Sequence, residues 1–414
     1  MELKTGSYEI GKRGKYSAGE RLVVTMISYE EPVEDDFAVS HAFLKIRLML
    51  LVYYLRNREL PHKLDQQIDF VTLFSPPEED LKIIEQDYQK IISKIKAGKA
   101  DELSEGDTMY LGACTKGSTA EKSKVFQKQY APDRKASKRA FSLKNSYMTT
   151  VLNSYIREKF NTLESILNDK SEIEEETFEE LILNKINRYH GKTDEELCKE
   201  FNVPYKANDV KSLWSNLAYR MLGIKSNKAE EFAKANIEVK TVRIEKNGGI
   251  TESISFPAIK LKELAVTEWE ESDLFNDLGS KRFLFVVFKK LGDNYYLKGC
   301  QLWNIPREDL DNDVRAGWKA IRKVINQGII FCKNPYKNKT GFEVKNNFPK
   351  KAGNRIIHIR PHTNNRYYVM EDGEIIGENP VDGDQLPDGR VMTKQGFWFN
   401  NNYVISQLDE DLKS

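Results

Sequence analysis

Two short stretches of the sequence carry a glutamate and a lysine separated by one residue, ELKT at 2–5 and EVKT at 238–241. Residues i and i+2 of a β-strand point to the same face, so a carboxylate and an ammonium with this spacing lie side by side. The carboxylate can bind a hard cation such as Mg²⁺, and the ammonium can stabilise negative charge on an attacking water or a scissile phosphate. The pattern is compatible with metal-dependent phosphodiester hydrolysis, although the triplet alone is more typical of a solvated strand face.

The segments that follow the first triplet have counterparts, in the same order, after the second. After the first triplet come strand-like apolar runs at 21–29 and 44–55, a helix start at 76–81, GACTKGST at 112–119 and AFSLKNSYMTTVL at 140–152. After the second come an apolar run at 282–288, a helix start at 305–310, IHIRPHTNN at 357–365 and GFWFNNNYVISQL at 396–408. Several landmarks repeated in one order predict a duplicated domain.

The two copies differ in what precedes them. Three segments before the second triplet, at 193–201, 213–223 and 229–237, predict helices, whereas only Met1 precedes the first triplet. In the first copy, the helix that begins at PPEEDL should end near Gly98, and its apolar residues recur at helical spacing: Leu81, Ile84, Tyr88, Ile91, Ile92 and Ile95. We expect an N-terminally incomplete first domain at 1–157, an acidic linker at 158–177 and a second domain at 178–414.

Length and composition indicate a two-domain globular protein. The chain has 414 residues, of which 40% are hydrophobic and 31% charged. The longest apolar run, 48–55, is too short to span a bilayer, and no charged-then-apolar leader opens the chain. Four cysteines without CxxC spacing argue against a zinc knuckle and a disulfide framework. We therefore expect a cytoplasmic protein with no membrane partner.

The net charge of +1 hides an uneven distribution of charge. Residues 112–147 carry nine Lys or Arg against Glu121 and Asp133, whereas residues 158–180 carry nine Asp or Glu against Lys159 and Lys170. A concentrated run of cations with few anions to neutralise them favours contact with a phosphate backbone, and a solvated loop is the alternative.

Five segments of the first half, ELKT, SHAFLK, SPPEEDLK, YLGACTKGST and AFSLKNSYMTTVL, resemble successive blocks of the MutH-type nucleases. This family comprises a mismatch-repair nicking enzyme with a single copy and GATC-cutting type II restriction endonucleases of the Sau-three-A type, which the two-copy layout resembles more closely. The resemblance implies an α/β fold with a restriction-endonuclease-like core of the PD-(D/E)xK class, here duplicated in two tandem domains. It also implies a Mg²⁺ cofactor and double-stranded DNA containing GATC as the substrate.

The resemblance assigns roles to individual residues. Glu2 corresponds to a metal ligand, Lys4 to the catalytic lysine and Lys45 to a further active-site lysine. Ser142 stands where the family has a tyrosine that senses adenine methylation. In total, six residues are expected to contact DNA: Thr115, Lys116, Ser142, Lys144, Arg360 and His362.

The sequence departs from the family pattern in both copies. The metal-binding Asp of the family lies seven residues before the Glu, which here would precede Met1, so we expect the chain as written to cleave DNA poorly or not at all. In the second copy Glu231 takes that Asp position and Tyr219 replaces a helix glutamate, which leaves a degenerate second site formed by Glu231, Glu238 and Lys240. The second domain is therefore expected to bind DNA and regulate the first without cutting.

Three functions stay open at this point. The first is a type II restriction endonuclease for GATC, and the second is a non-catalytic GATC-binding protein that is decayed or regulatory. The third, a nicking endonuclease of mismatch repair, fits the second copy less well. The duplication is compatible with two DNA sites per chain and with a dimer induced by DNA.

Overall fold

The computed structural model describes residues 1–11, 14–57, 60, 62, 65–117, 123–156, 163–167, 169, 171–205, 210–250, 253–337 and 340–414. The fold is mixed α/β. Its strands are β1 (Glu2–Ile10), β2 (Tyr16–Ala18), β3 (Leu22–Met26), β4 (Met49–Leu55), β5 (Ile68–Phe74), β6 (Leu111–Thr115), β7 (Lys124–Gln127), β8 (Ala131–Ser137), β9 (Arg139–Leu143), β10 (Ile237–Ile244), β11 (Ser255–Ala258), β12 (Arg282–Leu291), β13 (Asn294–Trp303), β14 (Phe331–Pro335), β15 (Phe342–Asn346), β16 (Ile357–Pro361), β17 (Tyr368–Val369), β18 (Ile375–Ile376), β19 (Gly383–Gln385), β20 (Val391–Thr393) and β21 (Gln395–Phe399). Its α-helices are α1 (His41–Ile46), α2 (Glu78–Lys96), α3 (Asn145–Val151), α4 (Glu172–Glu175), α5 (Phe178–Asn187), α6 (Asp194–Glu200), α7 (Val210–Met221), α8 (Glu230–Ala235), α9 (Leu261–Val266), α10 (Asp273–Ser280), α11 (Arg307–Asp309), α12 (Arg315–Gln327), α13 (Asn401–Ser406) and α14 (Glu410–Lys413).

The chain packs as two compact units. Unit 1 holds residues 1–241 and 279–306, and unit 2 holds residues 242–278 and 307–414. These units do not coincide with the expected domains, because residues 178–241 and 279–306 pack with the first copy. The division at 158–177 therefore stays a prediction about the duplication of the sequence.

Unit 1 holds three sheets of three or four strands and, in addition, the two-stranded β7-β8 sheet. The first has the order β2-β1-β4-β5, the second β3-β9-β6 and the third β10-β12-β13. β1 and β4 run parallel, whereas the other pairs of the first sheet are antiparallel. Parallel neighbours need a crossover connection, and here the connection contains β3 and α1. This topology places β3 and α1 close to the start of β1.

The long helix α2 confirms the prediction from its apolar spacing. Six residues of the helix form a buried apolar stripe: Ile83, Ile84, Tyr88, Ile91, Ile92 and Ile95. Three acidic residues occupy its first turn, where the helix dipole favours negative charge. After the helix, Gly98 adopts a φ of 71°, a left-handed conformation that glycine tolerates and that ends helices.

The apolar run at 44–55 is only partly a strand, which corrects the sequence prediction. Its first residues belong to α1, and β4 begins at Met49. The Ser40 side chain accepts a hydrogen bond from the backbone N–H of Phe43 at 3.1 Å, which caps α1 at its N-terminus. Capping by a single serine was not recognised as a helix start, since the apolar residues continue without interruption into the strand.

A buried ion pair joins α8 to α2 within unit 1. The Lys234 ammonium on α8 contacts both carboxylate oxygens of Asp80 at 2.8 and 2.9 Å, and both side chains are almost fully buried. Tyr147 donates a further hydrogen bond to Asp80 at 2.9 Å. Burial opposes the charged form of Lys234, but the carboxylates of Asp80 and Glu230 outweigh it and raise the pKa of Lys234. The helix that leads into the second Glu-x-Lys is thus anchored to the first copy.

Unit 2 contains a sheet of the order β11-β21-β16, a β14-β15 hairpin and a small sheet of the order β18-β17-β20-β19. Helix α12 buries Trp318, Ile321 and Ile325 on one face, and Trp318 packs against Trp269 with ring centroids 5.5 Å apart. β16 and β21, which begin the repeated segments at 357–365 and 396–408, pair antiparallel. The order of the three-stranded sheet parallels that of β3-β9-β6 in unit 1.

Two further properties bear on the setting of the protein. None of the helices among the described residues has the length and apolar character needed to cross a bilayer. All four cysteines are free thiols, three of them buried and Cys332 exposed.

Candidate active site

The first Glu-x-Lys pair lies close to Lys45, the further lysine that the family resemblance assigns to the active site. Glu2 and Lys4 lie on one face of β1, and the Lys4 ammonium is 3.3 Å from a carboxylate oxygen of Glu2. The Lys45 ammonium, at the end of α1, is 3.9 Å from the same oxygen. The three residues predicted to form the active site therefore converge, although they come from two elements more than forty positions apart.

Neighbouring strands fix the two residues of β1. The backbone N–H of Glu2 donates to the carbonyl oxygen of Leu48 at 3.0 Å, which sets the register between β1 and β4. The Lys4 ammonium donates to the carbonyl oxygen of Val24 on β3 at 3.3 Å. Lys4 keeps 14% of its side-chain surface exposed, whereas Glu2 keeps 33%. The carboxylate is therefore the more accessible member of the pair.

The donor set limits how a metal ion could be held. Within the described ranges, no group of three or more His, Cys, Asp or Glu side chains is arranged to bind a metal. A single accessible carboxylate, Glu2, nevertheless fits Mg²⁺, because this ion usually keeps several waters and completes its octahedral shell with substrate phosphate oxygens.

The second Glu-x-Lys pair has a different environment. The Lys240 ammonium contacts one carboxylate oxygen of Glu238 at 2.6 Å, and the Lys281 ammonium contacts the other at 3.0 Å. Burial raises the pKa of Glu238, but the two ammonium groups outweigh it and the net pKa is lowered. Both oxygens of this carboxylate are engaged by cations, so it is a poor ligand for a metal ion. Sequence reasoning missed Lys281; its place directly before an apolar strand was the available signal.

Glu231 does not join the second pair, which corrects the expected degenerate site. One of its carboxylate oxygens accepts from the Ser165 hydroxyl at 2.6 Å, and the other accepts from the backbone N–H of Ile166 at 3.0 Å. Glu231 is 5% exposed. It therefore holds the segment at 165–167 in place. Tyr219, in contrast, lies near Glu238. Burial raises the pKa of Tyr219, and the Glu238 carboxylate raises it further.

The residues expected to read DNA in the first copy fall into two groups. Thr115, at the end of β6, is exposed and Lys116 is half-buried, so both are accessible. Ser142 and Lys144 are buried, so neither offers a surface to DNA in this structure, and their contact with DNA stays a prediction. The Lys144 ammonium donates to the carbonyl oxygen of Thr108 at 2.5 Å, and burial lowers the pKa of Lys144 to about 8. The Lys144 ammonium thus links the backbone at Thr108 to the backbone at Ala235.

In unit 2, Arg360 and His362 lie on one face with Trp398. The Arg360 guanidinium stacks on the Trp398 ring at 3.7 Å from its centroid, and the His362 ring is 5.7 Å from the same ring. Arg360 is exposed and His362 is half-buried. A side chain at position 396 would collide with the His362 ring, so Gly396 permits this close approach. The guanidinium is thus oriented by an aromatic surface while its edge faces solvent.

The basic segment at 112–147 is only partly surface. Lys124 and Lys128 are exposed, and Lys128 pairs with Glu30 at 2.8 Å. Arg139 is buried and donates to the carbonyl oxygen of Ala113 at 2.6 Å. Lys122 lies outside the described residues. The charge available to DNA is therefore smaller than the sequence count indicated.

The comparisons with known proteins fit this geometry. A family model described as DNA mismatch repair enzyme MutH matches residues 1–87 and 222–312, the two segments that contain the Glu-x-Lys pairs. The chain is also 35% identical over 434 aligned residues to the type II restriction enzyme Sau3AI of Staphylococcus aureus. That alignment covers 99% of this chain and 87% of the relative. The chain therefore belongs to the MutH-related family of type II restriction enzymes that includes Sau3AI, and it is a site-specific DNA endonuclease.

Proposed function

We propose that this endonuclease recognises GATC in double-stranded DNA and hydrolyses the phosphodiester with Mg²⁺ at the first Glu-x-Lys site. The observation that carries the proposal is the convergence of Glu2, Lys4 and Lys45 within 3.9 Å on one carboxylate oxygen. One accessible carboxylate beside two ammonium groups is suited to a metal ion and to the negative charge that develops on the scissile phosphate.

The residues of the first site have distinct tasks in this proposal. Glu2 holds Mg²⁺, which when bound lowers the pKa of a water and polarises the scissile phosphate. Lys4, anchored on the carbonyl oxygen of Val24, keeps its ammonium beside the reacting atoms and stabilises charge on them. Lys45 is more exposed, at 36% of its side chain, and provides a second cation for the phosphate.

The proposed function is tested by cleavage of two duplexes that differ only in the order of the four bases GATC. We expect Mg²⁺-dependent cleavage of the GATC duplex alone under single-turnover conditions with enzyme in excess, which makes a slow reaction measurable. EDTA serves as the control for the metal. Equal cleavage of both duplexes would contradict GATC recognition, and cleavage in EDTA would contradict the role of Mg²⁺.

We further infer that the two halves are duplicated restriction-endonuclease-like domains and that the second binds DNA without cutting. One family model matches a separate segment around each Glu-x-Lys pair, and the two halves repeat one order of elements, which supports the duplication. The contacts of Lys240 and Lys281 with both oxygens of Glu238 support the loss of metal binding in the second copy. Two DNA sites per chain follow from this division of roles, and a DNA-induced dimer is compatible with it.

Arg360 is the strongest candidate for base reading in the second copy, because an arginine can donate two hydrogen bonds to guanine in the major groove. We expect Arg360→Ala to lower the preference for GATC over the scrambled duplex by about 1–3 kcal/mol in a binding assay at matched salt. Lys128→Ala is the matched control. A lysine that contacts only the phosphate backbone carries no sequence preference, so its removal should weaken the binding of both duplexes alike. The assignment fails if Arg360→Ala weakens the two duplexes equally.

We place the protein in the cytoplasm. Four free thiols, including the exposed Cys332, support a reducing compartment.

A further inference from the structure

An exposed histidine, His41, lies on the short helix that brings Lys45 to the first Glu-x-Lys pair. Residues four apart on a helix share one face, so the imidazole and the Lys45 ammonium project from the same side of α1. The side chain of His41 keeps 76% of its surface exposed. Four residues rise about 6 Å along a helix, and an imidazole is shorter than a lysine side chain. We therefore expect the ring about one turn away from the Glu2 carboxylate that Lys45 reaches.

The carboxylate of Glu34 holds this imidazole in one orientation. One carboxylate oxygen contacts Nδ1 of His41, and the other accepts from the backbone N–H of His41 at 2.9 Å. The backbone of Glu34 is itself fixed, because its carbonyl oxygen accepts from the hydroxyl of the buried Tyr88 at 2.7 Å. A carboxylate can only accept hydrogen bonds, so Nδ1 carries a proton and Nε2 is the ring nitrogen left for a ligand.

The helix α10 begins with the same hydrogen bonds as α1. The Ser40 hydroxyl donates to a carbonyl oxygen three residues earlier at 2.8 Å and accepts from a backbone N–H three residues later at 3.1 Å. The Ser272 hydroxyl, directly before α10, makes the same two bonds at 2.7 and 3.2 Å. Each helix also lies between a Glu-x-Lys strand and the strand that neighbours it in its sheet. The two helices are therefore counterparts in the two halves.

The counterpart positions differ in charge. Aligned on the two serines, His41 corresponds to Asp273 and Lys45 to Asp277. His41 and Asp273 are both exposed, so packing does not impose either residue. Two carboxylates repel a phosphate, whereas an ammonium and a protonated imidazole attract it. The difference is the one expected if this face of α1 meets DNA and the same face of α10 does not.

We propose that His41 contacts a backbone phosphate of DNA at the first site, next to the phosphate that Lys45 and Mg²⁺ bind. The contact rests on the proposed function in one respect, namely that DNA lies across the first Glu-x-Lys pair. An imidazole protonated on both nitrogens donates to Glu34 through Nδ1 and to a phosphate oxygen through Nε2. Such charge-assisted hydrogen bonds are stronger than neutral ones and fix the register of the DNA.

The test measures how tightly the full chain binds a duplex without GATC in EDTA, over a series of salt concentrations. His41→Ala should weaken binding roughly tenfold, the worth of one hydrogen bond to a charged group. It should also reduce the slope of log K against log salt by about one unit. His41→Arg supplies a cation again and should recover most of both losses. His190→Ala is the matched control, since it removes another exposed histidine of unit 1, and it should change neither value.

Two results would overturn the contact. The first is a His41→Ala chain with the affinity and the salt slope of the unmodified chain. The second is a loss of single-turnover cleavage that His41→Arg does not restore while the salt slope stays unchanged, because the ring would then act in proton transfer. Cleavage by the unmodified chain without preference for GATC would contradict the proposed function instead, and it would leave the His41 contact intact, since that contact is measured on a duplex without GATC.

Discussion

Glu2→Gln should abolish Mg²⁺-dependent cleavage while leaving DNA binding intact. The substitution keeps the size of the side chain and removes the carboxylate that Lys4 and Lys45 contact at 3.3 and 3.9 Å. Without that charge the site holds two ammonium groups and repels a divalent cation. We expect the single-turnover rate to fall by at least about 10²-fold, the scale seen when one group that stabilises developing charge is removed.

The matched control for this substitution is Glu238→Gln in the second copy. Its carboxylate is engaged by Lys240 and Lys281, so its removal should leave the cleavage rate unchanged. A mobility shift with both variants shows whether DNA binding is retained. Cleavage by Glu2→Gln at the unmodified rate would exclude Glu2 as the metal ligand.

Lys234→Met should destabilise the protein by about 3–5 kcal/mol. It leaves the Asp80 carboxylate buried without its cation, and breaking a buried pair from one side has a cost of this size. Urea denaturation measures the change. Lys82→Met is the matched control, since its pair with Glu174 lies at the surface and should contribute little to stability.

The double variant Asp80→Leu, Lys234→Met separates the two explanations for such a loss. If the loss comes from a stranded charge, removal of both partners should recover most of it. If the double variant is as unstable as Lys234→Met alone, the pair is not the cause.

Local patterns in the sequence predicted many of the elements. The apolar spacing from Ile84 to Ile95 predicted α2, because burial on one face of a helix imposes this period. The meeting of Glu2, Lys4 and Lys45 was expected from the order of motifs shared with a known family. Periodicity alone could not have placed Lys45 beside β1.

The sequence patterns did not predict which distant segments of the chain pack together. Nothing local marks Lys234 as the partner of Asp80, 154 positions earlier, or indicates that residues 178–241 pack with the first copy. Composition also misjudged the basic segment, since a count of lysines cannot separate the buried Lys144 from the exposed Lys128. Lys281 was not predicted because its contact is with Glu238, a carboxylate that is distant in the sequence.

The central claim is that the first Glu-x-Lys cuts DNA and the second does not. The most direct test compares single-turnover cleavage of a GATC duplex by Lys4→Ala and Lys240→Ala with Mg²⁺ and with Mn²⁺. Lys4→Ala should lose cleavage by at least about 10²-fold, since the proposed task of its ammonium is to stabilise charge at the scissile phosphate, whereas Lys240→Ala should keep the rate of the unmodified chain. Loss of cleavage in Lys240→Ala with full activity in Lys4→Ala would show that the second copy is the working nuclease and would contradict the account.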